Sequence, residues 1–216
     1  MENKVTVIIP AHNEEKTIRK VISLLRNNQL VDELIVVDNA STDRTANFAQ
    51  KSGAKVISCE NKGKGYAMEM GIRQASNEVL LFLDGDITKY DRDIVRVLSE
   101  PIFERNIDFV KSNFSREGGR VTELVAKPLL ELTFPNIPQF LQPLSGAIAG
   151  KKSFFDKITL EKDYGVDIGI LLDMINLNAN IEEVYIGKIR NNSQNWKALV
   201  KMSKEVSNAI LKRAYK

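Results

Sequence analysis

Val79-Leu80-Leu81-Phe82-Leu83-Asp84-Gly85-Asp86 is an apolar run that ends in two carboxylates separated by one glycine. An unbroken apolar run leaves no polar side to turn to water, so it reads as a strand buried on both faces of a sheet. In an open α/β sheet, ligands gather at the carboxyl ends of the strands, which is where Asp84 and Asp86 fall. Gly85 lets the backbone turn between them without a side chain in the way. Two hard oxygen donors at that edge suit Mg²⁺ or Mn²⁺ bridging a diphosphate, because such ions take oxygen ligands and keep positions open for substrate. Taken alone, an Asp-Gly-Asp is more often a solvated turn than a metal site.

The preceding residues repeat the pattern. Val5-Thr6-Val7-Ile8-Ile9-Pro10 reads as a first strand, followed by Ala11-His12-Asn13-Glu14-Glu15. A helical pattern then runs through Ile18, Val21, Ile22 and Leu25, with Asn13 as its expected cap. Leu34-Ile35-Val36-Val37-Asp38 is a second strand, running into Asn39-Ala40-Ser41-Thr42-Asp43 and a helix from about Thr45. Lys55 to Ser58 is a third strand. Asn61-Lys62-Gly63-Lys64-Gly65 follows as a basic loop able to hold phosphate through lysine charge and backbone amides, and a helix is expected over Tyr66 to Gln74. Strand and helix in alternation predict an α/β fold with a mostly parallel central sheet flanked by helices.

Further along, Gly118 and Gly119 precede Arg120-Val121-Thr122-Glu123-Leu124, and an apolar helical pattern through Val125, Leu129, Leu130 and Leu132 is interrupted by Pro128. Adjacent glycines let backbone N–H groups point into one concavity, Arg120 offers a planar fork, and Thr122 is placed to open a helix. The combination suits an anion, although an ordinary capped loop would look the same in isolation.

Together these motifs resemble family 2-type glycosyltransferases with the GT-A fold, and the later segments closely resemble the glucosyl-3-phosphoglycerate synthases. The first resemblance rests on Pro10 to Glu14, Asp38 to Asp43, Gly63-Lys64-Gly65 and Asp84-Gly85-Asp86, in that order. The second rests on Gly118 to Leu124, Lys127 to Leu130, Gln142 to Gly146 and Tyr164 to Gly169. It implies a nucleotide-sugar site at Pro10, Ala11, Glu14, Asp38 or Ser41, Lys64, Asp84 and Gly85. It implies a 3-phosphoglycerate site at Gly118, Gly119, Arg120, Val121 and Thr122, with Asp86 as principal metal ligand beside Asp84. Asp167, Asp86 and Arg120 would then be central to catalysis.

The resemblance implies transfer of a hexose from a nucleotide-diphosphate sugar, UDP-glucose first, to a small phosphorylated acceptor. Configuration is retained in that family without a well-placed protein nucleophile. Two departures stand out. Asp167 replaces the family's glutamate, keeping the charge but shortening the reach. The family's metal-binding histidine has no counterpart in Arg190-Asn191-Asn192-Ser193-Gln194-Asn195, where Asn191 is the best-aligned donor. His12, the chain's one histidine, is expected to belong to the nucleoside loop.

A chain of 216 residues, 43% hydrophobic, fits one domain over residues 1–216, with a nucleotide-sugar half at 1–90 and an acceptor half at 91–195. A formal charge of +3 is too mild to imply nucleic-acid binding. Cys59 has no second cysteine to pair with, and the first residues run straight into a strand without a signal peptide, so a cytoplasmic protein is expected. No apolar stretch approaches the roughly 18 residues of a membrane span. Residues 196–216 form a basic amphipathic pattern, with Trp196, Leu199, Val200, Ser203, Val206, Ile210 and Leu211 on one stripe. Packing of that stripe on the domain, or on a second subunit in a homodimer, is favoured over peripheral contact with an anionic membrane. The rival readings are a polyprenyl-phosphate glycosyltransferase at the membrane surface and a non-catalytic nucleotide-sugar-binding protein.

Overall fold

The computed structural model describes residues 3–87, 90–115, 119–189 and 195–215. Seven strands form one sheet in the order β3-β2-β1-β4-β6-β5-β7. They are β1 (Val5–Ala11), β2 (Val31–Asn39), β3 (Lys55–Cys59), β4 (Val79–Phe82), β5 (Phe109–Ser115), β6 (Ile148–Lys151) and β7 (Ile181–Lys188). β6 pairs antiparallel with β4 and β5, while the other pairs are parallel. Six strands therefore deliver their carboxyl ends to one edge, and β6 starts from that same edge. The chain leaves β1, β2, β3, β4, β5 and β7, and enters β6, at that edge.

Both faces of the sheet are covered, as the apolar run predicted. Val5, Val7 and Ile9 of β1 and Leu81 of β4 pack with Ile18, Val21, Ile22 and Leu25 of α1 (Ile18–Leu25) and with Ile94, Val95 and Leu98 of α4 (Ile94–Glu104). On the opposite face, Ile8, Leu80, Phe82 and Phe109 pack with Ala67, Met68 and Ile72 of α3 (Lys64–Gln74) and with Ile168 and Leu171 of α7 (Val166–Asn176). Helices α2 (Thr45–Lys51), α5 (Lys127–Thr133) and α6 (Lys152–Phe155) fill the remaining connections.

Three local expectations change. Asn13 is not a cap: its φ is +58°, and Thr17 precedes α1 with its hydroxyl on Glu14. Helix α3 begins at Lys64 rather than Tyr66, so the lysine belongs to a helical first turn instead of a loop. Pro128 does not break a helix: it is the second residue of α5, and the chain is helical without interruption from Arg120 to Thr133. The helix before it is widened into a π-helical turn at Thr122–Ala126.

The C-terminal helix α8 (Trp196–Ala214) packs on the domain through Val206, Ala209 and Ile210. Arg213 locks it there, with Nε and Nη2 on the two oxygens of Asp173 at 2.8 and 2.7 Å and Nη1 on Glu161 at 2.8 Å. The stripe is not buried throughout: Trp196 is 74% and Val200 54% exposed. Among the described residues, no helix is long and apolar enough to cross a membrane.

Asp108 pins the start of β5 to both neighbours. Its carboxylate accepts from Lys151 Nζ at 2.6 Å, at the end of β6, and from the Asn180 N–H at 2.9 Å, just before β7. Burial pushes the Asp108 carboxyl up, but the Lys151 bond and the Asn180 amide outweigh it and hold the group below the usual carboxylate range. A depressed folded pKa supplies stability above the unfolded pKa that is lost as pH falls through the folded one. Asp108→Asn is expected to lower stability by about 1–2 kcal/mol at pH 7, a few degrees in melting temperature. Thermal scans should show the gap between wild type and variant closing as pH drops below about 4, the unfolded carboxylate range.

Candidate active site

The loops at the carboxyl edge are tied to one another rather than left hanging. After β1, the Asn13 N–H donates to Ser41 Oγ at 3.0 Å, and Asn13 Oδ1 accepts from the Thr42 N–H at 2.8 Å. The Glu14 N–H donates to Thr45 Oγ1 at 2.7 Å. His12 Nδ1 lies 2.7 Å from the Asn39 carbonyl, so the single histidine braces two loops. Asn39 continues the chain of links: its Nδ2 donates to the Asn61 carbonyl at 2.6 Å, and its Oδ1 accepts from the Gly63 N–H at 2.7 Å. The loops after β1, β2 and β3 thus form one bonded unit.

Within that unit the nucleotide-sugar candidates sit together. Ala11 is the last β1 residue and pairs in register with Asp38 of β2, next to the pair of Pro10 and Val37. Asp38 Oδ1 is buried without a hydrogen-bond partner, an acceptor available to a ligand donor. The Asp84-Gly85-Asp86 turn lies against the same unit, since a Cβ on Gly85 would touch Glu14 and Ile9 at 3.5 Å and Ala11 at 3.6 Å. These are ordinary contacts and Gly85 has no left-handed φ, so the expected backbone need for glycine at that turn is not what the structure shows. The turn is braced from below by Tyr90, whose hydroxyl oxygen accepts from the Asp84 N–H at 3.1 Å.

Lys64 lies at the centre. Its Nζ donates to Asp84 Oδ1 and to Asp167 Oδ2, each at 2.9 Å. Asp167 opens α7, is 3% exposed, and arrives from more than 80 residues beyond β4, a juxtaposition only the tertiary fold creates. Burial works against the Lys64 ammonium, but Asp167 and Asp84 more than offset it and hold the lysine charged. Burial likewise pushes the Asp167 carboxyl up, with Lys64 pulling against it; an ammonium in direct contact settles the pair as ionised. The second oxygen of Asp167, Oδ1, is buried without a partner.

Gly146 passes so close to this pair that a Cβ there would overlap Lys64 Nζ and come within 2.5 Å of Asp84 Oδ1. Gly63 and Gly65 meet the chain equally closely, with an added Cβ colliding with the carbonyls of Lys162 and Glu161. Glycine on each side lets the 161–162 segment cross directly over the start of α3, where the Gly65 N–H bonds the Lys162 carbonyl at 3.2 Å.

Asp86 keeps an open face to solvent, yet its carboxyl is pushed up to about 6, first by desolvation from the surrounding protein and then by the carboxylates of Asp84 and Glu14. Negative charge collected at one point without enough cation to neutralise it fits a divalent ion. Among the described residues no three His, Cys, Asp or Glu side chains gather into a metal cage, but a Mg²⁺-type ion needs only one or two carboxylates when waters and substrate phosphates complete its shell. Asp84 and Asp86 meet that requirement. Asn191, the expected third donor, lies outside the described residues, as does Gly118.

The segment expected to hold the acceptor is described from Gly119 onward, after β5. Gly119 has φ +88°, a conformation suited to glycine, and its carbonyl accepts from the Glu123 N–H at 3.0 Å. Arg120 is exposed, Val121 is buried, and Thr122 is 1% exposed. Thr122 does not open the helix as expected: the helical residues begin at Arg120, which turns Thr122 inward. The sequence reading gave no role to Asn39, Tyr90, Gly146 or Lys111. Lys111 is fully buried in β5, and burial pushes its pKa down to about 8, Asp167 opposing and Lys64 adding to the shift. A strand lysine ordinarily reads as solvent-facing, so the sequence carries no signal for it.

A model of glycosyl transferase family 2 matches residues 6–157. The glucosyl-3-phosphoglycerate synthase of Mycolicibacterium smegmatis is 33% identical, over 97% of this chain and 77% of that protein. A crystal structure of the Mycobacterium tuberculosis glucosyl-3-phosphoglycerate synthase, in complex with Mn²⁺, UDP-glucose and phosphoglyceric acid, superposes with a TM-score of 0.92 at 35% identity, over 99% of this chain and 80% of that one. A second, in complex with Mg²⁺ and UDP, gives 0.93 at 35% identity, over 99% and 80% of the two chains.

Gly146→Ala tests the clearance around Lys64. The added methyl is expected to part Lys64 from Asp84 and to lower turnover at least about tenfold, on the scale of a displaced charged hydrogen bond. Far-UV circular dichroism should stay unchanged, because the overlap falls on side-chain ends. Full activity in this variant would mean that the Lys64–Asp84 contact is dispensable.

Proposed function

The chain belongs to the glucosyl-3-phosphoglycerate synthases of glycosyl transferase family 2, and on that premise we propose that it transfers glucose from UDP-glucose to the 2-hydroxyl of 3-phosphoglycerate with Mg²⁺ or Mn²⁺ bound. The observation that carries this reading is the Lys64 ammonium held between Asp84 and Asp167 at the carboxyl edge of the sheet.

Breaking the bond from sugar to diphosphate places new charge on the leaving group. A divalent cation held by Asp84 and Asp86 supplies electrostatic stabilisation of that charge. Lys64 adds a fixed positive charge that needs no reorganisation, since both its partners are already in place. Pro10, Ala11, Glu14, Asp38 and Ser41 line the bonded loops that hold the uridine, with the unpartnered Asp38 Oδ1 accepting from base or ribose. Gly119, Arg120 and Thr122 position the acceptor anion, so that its hydroxyl reaches the anomeric carbon as an oriented neighbour rather than a diffusing one. Asp167 Oδ1 accepts from a hydroxyl of the sugar or the acceptor. Residues 1–90 serve the donor and 91–195 the acceptor, on one sheet.

UDP release measured with purified protein, Mg²⁺ or Mn²⁺ and UDP-glucose should depend on 3-phosphoglycerate. Arg120→Ala should lower kcat/KM for 3-phosphoglycerate by about 10- to 100-fold, since hydrogen bonds to charged groups are worth about 1.5–3 kcal/mol. UDP-glucose binding that persists without turnover on any acceptor would instead favour a binding protein.

The homodimer belongs to the same reading. Leu124 and Leu132 are 74% and 80% exposed on the π-helical turn and α5, the elements packed against α8 with its open Trp196 and Val200. Large apolar side chains left open on adjoining elements suit a second copy of the chain. Light scattering should report a dimer, and Trp196→Lys with Leu132→Lys should shift it to monomer; a monomeric wild type would remove this part of the reading.

A further inference from the structure

Lys111 lies in the middle of β5 with no exposed surface. A buried ammonium is costly unless its donors are met, and an apolar side chain would fill the same space without that cost. Its Nζ donates to the Ser145 carbonyl at 2.8 Å and to the Asp167 carbonyl at 3.2 Å. These acceptors belong to two segments that reach the site independently. Ser145 directly precedes Gly146, the residue in closest approach to Lys64 and Asp84. Asp167 is the other partner of Lys64. One ammonium below the site therefore grips the main chain on both sides of the ion pair above it.

The neighbouring residue grips the same turn. Ser112 Oγ lies 2.6 Å from Ser145 Oγ, the Ser112 N–H bonds the Ala147 carbonyl at 3.2 Å, and the Ala147 N–H donates to Ser145 Oγ at 3.3 Å. Lys111 and Ser112 thus meet the Ser145 turn through buried polar bonds, although the strand is otherwise flanked by core residues such as Phe109 and Val110.

We infer that Lys111 is a positioning residue for the transfer reaction: by holding the Ser145 and Asp167 carbonyls from one Nζ, it sets the separation between the Gly146 wall and the Asp167 carboxylate, and with it the gap where donor sugar and acceptor meet. The inference rests on the functional reading above. It distinguishes Lys111 from the uridine side of the site, whose loops hang on β1, β2 and β3 and, among the described residues, share no hydrogen bond with it.

Steady-state kinetics and metal-dependent UDP binding by calorimetry test this on wild type, Lys111→Met and Ser112→Ala. Lys111→Met is expected to lower kcat by about 100-fold, the cost of roughly 1 Å of misplacement, with the Kd for UDP within about threefold of wild type. Ser112→Ala keeps the ammonium and loosens the same turn, so kcat should fall about tenfold with UDP binding again unchanged; it decides the matter if Lys111→Met fails to fold. The inference is overturned if the folded variants keep wild-type kcat, or if kcat, UDP affinity and melting temperature fall together. Wild-type protein without turnover would overturn the functional reading and this inference with it, whereas active wild type with equally active variants would overturn the inference alone.

Discussion

A half-buried lysine ammonium placed between two carboxylates holds this site together. Lys64 reaches Asp84 and Asp167 at 2.9 Å each, and the two acids together outweigh the cost of its burial. The pair of contacts exists only when α3, α7 and the turn after β4 are all seated, because each contributes one of the three side chains. The surrounding glycines follow from the same demand. Gly146 gives clearance to the ion pair, while Gly63 and Gly65 admit the 161–162 segment across the start of the helix that carries Lys64. A fixed charge arranged before substrate arrives is the kind of electrostatic stabilisation that costs no reorganisation during reaction.

The loops around this centre are ordered by side chains more than by secondary structure. Asn13, Asn39, Ser41 and Thr45 use amides and hydroxyls to join three loops that leave three different strands. Asn13 and Ala40 adopt positive φ there, a local cost that the bonding network repays. Two carboxylate oxygens near this centre, Asp38 Oδ1 and Asp167 Oδ1, are buried and left unbonded by the protein itself, and the proposed function gives each a ligand donor. Leaving buried acceptors unmatched is unfavourable in the free protein, and it becomes favourable when a ligand donor fills the vacancy.

Much of this was legible beforehand. The five-residue apolar run before Asp84 announced a strand covered on both faces, and the repeated order of strand, polar loop and helix announced the parallel sheet. Asp38, Asp84 and Asp86 drew notice as carboxylates at strand ends and Lys64 as part of a basic glycine loop, whereas Pro10, Ala11 and Glu14 were expected only from the family resemblance. Thr122 was misread as a cap because hydroxyl residues before apolar helices usually are caps, and here the helix starts two residues earlier. Trp196 and Val200 were assigned to a packed stripe because periodicity reports one face of a helix without saying how far its neighbour extends.

The sequence by itself determined the sheet and the edge at which charge collects, since unbroken apolar runs and strand-end carboxylates are local patterns that survive without coordinates. Tertiary structure alone decided which distant groups share that edge. Asp167 meets Lys64, Gly146 lies behind Asp84, and Lys111 points inward from β5 to grip two main-chain segments, because three-dimensional proximity between residues far apart in the chain depends on packing that no local pattern encodes.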